Sequence, residues 1–311
     1  CYWVFALAQS VPGGYLSVRI KPSSELFKIV QNEYQKLYEL ERVQKLSPES
    51  SFKALNNRIL ELGFENYNEL MTTALMTELA SRRKHLGLSE LPILSSFESA
   101  SKINKDIQHH ANEMFLKFKE GRLLPLNLTA QSAKLGTEGS SLIVVANQYS
   151  SMAAEIEEEF KHFMQVLEKS KESVLESQYA VCAALLQVET LKCFQKDSQN
   201  ESAEQVQNLG LLQNLHTQGL ERSRLALFRV QEALQNFLSS CTNIQSLSTG
   251  LEIVRLTGKI EISSIKENQE SLKHILDSLH KFRSYLNTTI KEITRLGSEL
   301  QIKIKEIGVK G

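Results

Sequence analysis

Apolar residues recur every three or four positions along most of the chain, which is the spacing of amphipathic helices. After residue 142, steps of four and three predict one buried seam in a helix that ends near residue 194. Two serines interrupt this seam, and they either let a helix pair bend or belong to ordinary bundle packing. The seam consists of Ile156, Phe160, Phe163, Leu167, Ser170, Val174, Ser177, Val181, Ala184, Val188 and Leu191.

Glycines, prolines and polar runs divide the remaining pattern into further helices. The predicted helices are 24–45 with Ser24 as its cap, one from Pro48 to Gly63, 67–83, 96–121, 203–246 and 251–307. Residues 87–92 are the clearest linker, residues 196–202 predict a turn, and Gly250 predicts the end of a helix. The last helix has a second seam of Leu272, Ile275, Leu279, Phe282, Leu286, Thr289, Ile293, Leu296, Leu300 and Ile307.

The first 22 residues have a different pattern. Tyr2–Ala8 is aromatic and β-branched, Pro12-Gly13-Gly14 is a turn signal, and Tyr15–Ile20 alternates apolar and polar residues. These features predict a β-hairpin. Since a lone hairpin is only marginally stable in water, we expect it to pack on a sheet outside this chain. The alternative is a hairpin that packs on the helices.

The patterns together predict a mainly α fold, a long antiparallel helical hairpin or bundle of coiled-coil type preceded by a short β-hairpin. Between residues 123 and 149, two apolar helical runs flank a polar break at 136–141, which we interpret as the tip of a helical hairpin. Ser140 or Ser141 is placed to cap the helix that follows. A second, more eroded tip at 251–264 is an alternative to one long final helix.

Composition narrows the function classes. The chain has 311 residues, with 36 Lys and Arg against 36 Asp and Glu, so charge gives no reason to expect a nucleic-acid partner. No apolar run approaches the roughly 18 residues of a transmembrane helix. The four cysteines lack the spacing of a metal or redox motif, which predicts reduced thiols and a cytoplasmic protein.

No catalytic constellation is apparent in the sequence. It lacks a phosphate-binding loop, a serine-nucleophile motif and zinc-ligand spacing. His109 and His110 are adjacent and point to different sides of a helix, so we expect no metal site there. His162 superficially resembles the phosphorylated histidine of a kinase, but no nucleotide-binding segment follows it. We therefore predict that the chain is not an enzyme.

The stretch from Leu124 to Tyr149 resembles the signalling tip of methyl-accepting chemotaxis receptors. Aligned without a gap, it matches that tip at Leu124, Leu126, Asn127, Ala133, Gly136, Gly139 and Val144-Val145-Ala146-Asn147. It departs from it at Pro125, Gln131, Lys134 and Ser141. The resemblance implies a homodimer whose tip binds a chemotaxis adaptor and a histidine kinase. The implied contact residues are Asn127, Gln131, Lys134, Gly136, Gly139 and Asn147.

A second resemblance concerns the N-terminal segment. Its phrases Tyr2-Trp3-Val4-Phe5 and Gly13–Ser24 are similar to the last strands of a PAS sensor domain. If the hairpin ends such a domain, we expect the chain to be truncated at its N-terminus. The ligand pocket, with haem or flavin as possible cofactors, would then lie in the missing part, and we expect no cofactor in this chain.

These inferences divide the chain into 1–22 as PAS-like strands, 23–92 as a helical connector and 93–311 as a chemoreceptor-like signalling domain. The predicted function is the relay of a sensed cue through a helical rod to an adaptor and kinase complex. The alternative is a structural coiled-coil scaffold without kinase coupling. Receptors of this kind carry methyl esters on paired Glu or Gln side chains, and Glu157-Glu158-Glu159 and Gln269-Glu270 are the candidate pairs here.

Overall fold

The predicted mainly α fold is confirmed in a computed structural model that describes residues 4–87, 89–197, 203–265 and 269–310. Within these ranges the chain forms one β-hairpin, eight α-helices and a short 3-10 helix. The elements are β1 (Phe5–Val11), β2 (Gly14–Ile20), α1 (Glu25–Gln44), α2 (Pro48–Glu61), α3 (Tyr67–His85), α4 (Pro92–Gly121), α5 (Leu124–Ala133), the 3-10 helix (Gly136–Gly139), α6 (Ser140–Asp197), α7 (Ala203–Ser264) and α8 (Gln269–Lys310).

Packing divides the chain into two compact units. Unit 1 takes the described residues of Cys1–Glu98, Glu172–Phe228 and Glu306–Gly311, and unit 2 takes those of Ser99–Lys171 and Arg229–Lys305. Four helices, α4, α6, α7 and α8, therefore contribute residues to both units. The domains predicted from sequence follow the chain order and stay a prediction.

In unit 1, the β-hairpin packs on helices of this chain. Strands β1 and β2 are antiparallel, with Phe5 opposite Ile20 and Leu7 opposite Val18, and all four side chains are buried. The Phe5 ring lies 5.2 Å from that of Phe27 in α1. The Gln187 amide of α6 donates a hydrogen bond to Gln9. The hairpin thus packs on helices of this chain, which was the alternative drawn from the sequence, and the expected sheet outside the chain stays a prediction.

The three helices after the hairpin agree with the sequence patterns. Ser24 caps α1, where its hydroxyl accepts the Phe27 amide, and Ser47 and Asn66 cap α2 and α3 in the same way. Gly63 follows the end of α2 with a φ of +86°, a left-handed conformation that glycine adopts without steric cost. Local capping chemistry therefore sets most of the boundaries in this part of unit 1.

A buried carboxylate joins the end of the hairpin to α3. Glu78 is fully buried, and its two oxygens accept the amides of Ser23 at 2.9 and 3.0 Å and of Ser24 at 2.8 Å. The Ser23 hydroxyl donates a further hydrogen bond to it at 2.9 Å. These amides lie at the N-terminus of α1, where the helix dipole also favours a negative charge. Glu78 thus fixes the junction between β2 and α1 against α3.

Unit 2 is an antiparallel four-helix bundle of α4, α6, α7 and α8 around an aromatic core. The Phe118 ring lies 5.2 Å from that of Phe160 and 5.9 Å from that of Phe282, and Phe163 stacks on Phe237 at 4.8 Å. Each of the four helices thus supplies at least one phenylalanine. The heptad seam predicted for α6 is buried from Ile156 to Ala184, including Ser170 and Ser177. That of α8 is buried at Leu272, Leu279, Leu286, Ile293, Leu296, Leu300 and Ile307.

Two predicted boundaries in α7 and α8 were wrong. Helix α7 continues through Gly250 to Ser264. A methyl group at Gly250 would overlap the side chain of Met152, so this glycine allows close packing and does not mark a helix end. The predicted continuous helix over 251–307 instead ends at Ser264, and α8 begins at Gln269. The hydroxyls of Ser263 and Ser264 donate to carbonyls one turn back, at 2.5 and 2.7 Å.

Smaller differences concern the ends of other helices. Helix α4 begins at Pro92, four residues before the predicted start at Ser96, because proline fits the first turn of a helix. Helix α6 runs to Asp197, and residues 198–202 of the predicted turn lie outside the described residues.

The three cysteines within the described ranges form no disulfide. Cys182 and Cys241 are buried, and burial raises the pKa of each thiol to about 12. Cys193 is exposed. A thiol held neutral by burial is a weak nucleophile, so the two buried cysteines act as small core residues.

Glu78→Gln should lower the free energy of unfolding by about 2 kcal/mol, because the neutral amide replaces one carboxylate oxygen with a donor that faces backbone amides. Urea unfolding followed by circular dichroism measures this change. Glu98→Gln is the matched control, since Glu98 is exposed and should have an effect below about 0.5 kcal/mol. Equal stability of the two variants would contradict the assigned role of Glu78.

Candidate functional site

The predicted tip of a helical hairpin, residues 123–149, lies in unit 2 and is called the tip segment below. Its first apolar run is a separate helix, because α4 ends at Gly121 and Pro125 occupies the first turn of α5. At this break Gly121 packs against the ring of Phe282, and Arg122 pairs with Glu157 of α6. The tip segment is thus anchored to the bundle where α4 gives way to α5.

The predicted polar break is present between α5 and α6. Helix α5 ends at Ala133, and Gly136 has a φ of +59°, which turns the chain into the 3-10 helix. The predicted cap of α6 is not formed by Ser140, because its hydroxyl donates to the Thr137 carbonyl at 2.9 Å and does not accept a backbone amide. The turn between the helices depends on Gly136 and on close packing at Gly139.

Gly139 is buried and lies directly against the backbone of α5. A methyl group at this position would overlap the carbonyl oxygen of Ser132. Backbone atoms cannot move aside as a flexible side chain can, so only glycine fits without a shift of the turn. The match of Gly139 to the chemoreceptor pattern therefore has a packing reason in this fold.

The remaining predicted contact residues lie mostly on the surface. Asn127, Lys134, Gly136 and Asn147 are exposed, and Gln131 is half-buried. Asn127, Gln131 and Lys134 follow steps of four and three along α5 and its C-cap, so they share one face. Lys134 forms no ion pair with any residue in the described part of the chain. This face is free to contact another molecule.

Exposed apolar side chains accompany these polar residues. Leu123 and Leu126 of the tip segment are 59% and 60% exposed, and Val144 at the start of α6 is 56% exposed. The sequence pattern did not mark Leu123 as a contact residue, and it did not place Leu126 or Val144 on the surface. One signal was present in the sequence. Leu128 follows Pro125 by three residues, so the two share the buried side of α5 and Leu126 lies off that side.

The last turn of the tip segment rests on a network of charged side chains. Arg255 binds Glu252 through two hydrogen bonds of 2.7 and 3.0 Å, and Arg283 approaches the same carboxylate at 3.3 Å. Arg283 also donates to the Ser248 carbonyl at 3.3 Å, and His280 lies 3.7 Å from Glu252. The network joins α7 to α8.

Electrostatics follow from this geometry. The hydrogen bonds from Arg255 hold the pKa of Glu252 below its ordinary value, so the carboxylate stays charged at neutral pH. Tyr149 is buried beside this carboxylate, and desolvation raises the pKa of its phenol. Its hydroxyl forms no hydrogen bond within the described residues. Tyr149 is therefore a neutral, buried side chain at the base of the tip segment.

The other candidates from sequence occupy structural contacts. In the first candidate methylation group, Glu157 pairs with Arg122, Glu158 with Lys161 at 2.6 Å, and Glu159 accepts the Asn243 amide at 3.3 Å. The segment 251–264, proposed as an alternative second tip, is the helical end of α7.

The histidines and the candidate methylation pair in α8 have structural surroundings of their own. His162 lies 3.1 Å from the Ser240 hydroxyl, and the rings of His109 and His110 are 5.7 Å apart. Gln269 donates from its side-chain amide to the Ile265 carbonyl. No group of three potential metal ligands occurs among the described residues.

No family model matches the chain, and no curated protein matches it in sequence. Within the described ranges, no helix combines the length and the apolar character that crossing a bilayer requires.

Gly139→Ala should destabilise unit 2 by about 2 kcal/mol, because the added methyl group meets the Ser132 backbone and forces the turn to shift. Gly210→Ala is the control, since Gly210 is in a helix with open space around it, and alanine there should stabilise α7 by up to about 1 kcal/mol. Thermal unfolding measures both changes. A Gly139→Ala protein as stable as the parent would show that the turn tolerates a side chain.

Glu252→Gln should lower the free energy of unfolding by roughly 2 kcal/mol at pH 7, because it leaves two partly buried guanidinium groups without their carboxylate. The folded-state pKa of Glu252 is below its ordinary value of 4.5, so its contribution is present above pH 4.5 and is lost as the pH falls through the folded pKa. Urea unfolding between pH 7 and pH 3 should show the two proteins converging in acid. The exposed pair of Glu158 provides the control, and Glu158→Gln should change little.

Proposed function

We propose that this chain is a cytoplasmic signal-relay protein of the chemotaxis-receptor type, whose tip segment binds an adaptor and a histidine kinase. The observation that carries the proposal is the tip segment itself. Its gapless resemblance to a receptor tip coincides with a turn between helices, and the matched residues Asn127 and Asn147 are exposed. Leu123, Leu126 and Val144 add exposed apolar surface, which a partner would bury on binding.

A relay also needs a bundle with two packings of similar free energy. Several buried polar groups of unit 2 form no hydrogen bond within the described residues, namely the Asn104 amide and the hydroxyls of Ser132, Ser170 and Ser248. Each unmet polar group raises the free energy of the packing that contains it, so an alternative packing costs less to reach. We infer that these positions let the helices shift between two states.

The input side of the proposed relay is in unit 1. There, the β-hairpin that resembles the end of a PAS domain is bonded to α6 through Gln9 and Gln187. Helix α6 begins in the tip segment and contributes residues to both units. A change in hairpin packing would therefore act on a helix that also forms part of the output site.

The resemblance further implies a homodimer of helical hairpins. In unit 2, one chain supplies both helical hairpins, α4 with α6 and α7 with α8, so the aromatic core is buried without a second copy of the chain. A homodimer of this protein would use exposed surface, and Ile253, Leu256 and Ile260 supply such surface at one face of α7.

Binding of purified chemotaxis adaptor and kinase to the chain tests the proposal. We expect saturable binding by the parent and a loss of at least about tenfold in affinity for a Gln131→Ala/Lys134→Ala variant, because both side chains lie on the proposed contact face. The matched control is Gln165→Ala/Lys169→Ala, which removes the same residue types from an exposed part of α6 outside the tip segment. This control should bind like the parent.

Two outcomes would contradict the relay. If neither parent nor variants bind the adaptor or the kinase, the tip segment is a turn between helices, and the scaffold function is the better explanation. The packing of Gly139 and the left-handed φ of Gly136 already explain those two glycines by turn geometry alone. Binding by the Gln131→Ala/Lys134→Ala variant that is as tight as binding by the parent would contradict the proposed contact face and place the contact elsewhere.

A further inference from the structure

Unit 1 contains a cavity of about 390 Å³ that none of the functions above uses. This volume is near the lower end of the roughly 300–1,000 Å³ that small-molecule sites occupy. One strand and two helices form its walls, and all of the lining residues belong to unit 1. They are Leu16, Ser17, Val18 and Arg19 of β2, Thr190 and Phe194 of α6, and Asn208, Leu209 and Leu212 of α7.

The walls of the cavity are largely apolar. Val18 and Leu212 are buried, whereas the Phe194 side chain is 55% exposed although it lies at the cavity. Exposed aromatic surface beside an apolar recess has an unfavourable hydration free energy. An apolar chain or ring in the cavity would remove this surface from water.

The charge at the cavity is positive. Among the described residues that line the cavity, Arg19 alone is charged, and it forms no hydrogen bond or ion pair with the described part of the chain. The acidic neighbour on α6, Glu189, is paired with Arg82 at 3.6 Å. The Thr190 hydroxyl donates to the Leu186 carbonyl at 2.9 Å, which leaves its oxygen as an acceptor. The guanidinium is therefore available to an external anion.

The position of the cavity along β2 indicates which occupant fits it, a small ligand or an added strand. Residues from both faces of β2 line it and none from β1 does, so it opens along the edge of β2 that faces away from β1. Only four of the seven residues of β2 contribute, however, which is short for the pairing of another strand. The cavity is thus better matched to a compact molecule than to an extended peptide.

We propose that this cavity binds a small amphipathic anion, with its apolar part among Phe194, Leu209 and Leu212 and its carboxylate paired with Arg19. A carboxylate that binds a guanidinium forms charge-assisted hydrogen bonds, which fix its orientation. The ligand would contact the hairpin and both helices at once. By mass action it would stabilise the folded state of unit 1.

Isothermal titration calorimetry of the full chain with octanoate and with 1-octanol tests this assignment. Octanoate should bind saturably and more tightly than octanol. Arg19→Gln should weaken octanoate binding about tenfold and leave octanol binding unchanged, whereas Arg19→Lys should restore most of the loss. Arg42→Gln is the matched control, because Arg42 is an exposed arginine of unit 1 outside the cavity, and it should bind like the parent.

A cavity-filling variant provides an independent check. Leu209→Trp adds bulk at a partly exposed lining position and should abolish binding of both probes while the thermal unfolding temperature is retained. Absence of saturable octanoate binding to the parent at millimolar concentration would overturn the proposal, as would equal octanoate affinity of parent and Arg19→Gln. Binding of a peptide with the β1 sequence Phe-Ala-Leu-Ala-Gln-Ser-Val, without octanoate binding, would instead assign the edge of β2 to strand addition.

Discussion

The aromatic core of unit 2 is the interaction on which the rest of that unit depends. Phe118, Phe160, Phe237 and Phe282 come from four different helices, and their rings form a chain of contacts together with Phe163. Large rings bury more apolar area per residue than aliphatic side chains do, so they fix where helices meet. The tip segment begins one turn after Phe118, and the position of Gly121 against Phe282 follows from the same packing.

Repeating patterns made the helices and their buried faces predictable from sequence. The seam of α6 was recognised residue by residue because each position repeats the same local rule, and Ser24 marked the start of α1 through an equally local signal. Gly250 was misjudged because its effect depends on Met152, about one hundred residues away in the chain. The break after Ser264 was missed because no glycine or proline marks it.

The candidate site shows the same division between local and distant causes. A gapless pattern located the tip segment, and its turn could be predicted from glycines. The packing of Gly139 on Ser132 and the network around Glu252 arise from contacts between elements, which a linear pattern does not contain. Glu78 and the lining of the β2 cavity were equally invisible, since Ser23 and Glu78 are 55 positions apart.

The closure of the unit 2 bundle by one chain has a further consequence. Because the two hairpins are covalently joined, their pairing is intramolecular, and it does not weaken when the protein is diluted. Two hairpins from identical chains must have the same sequence, whereas two hairpins joined in one chain can differ in sequence. In this chain one hairpin turns through α5 and a 3-10 helix, whereas in the other α7 ends at Ser264 and α8 begins at Gln269. The turn built from α5 and the 3-10 helix therefore occurs once in each chain, so a molecule that recognises it finds a single site on each chain.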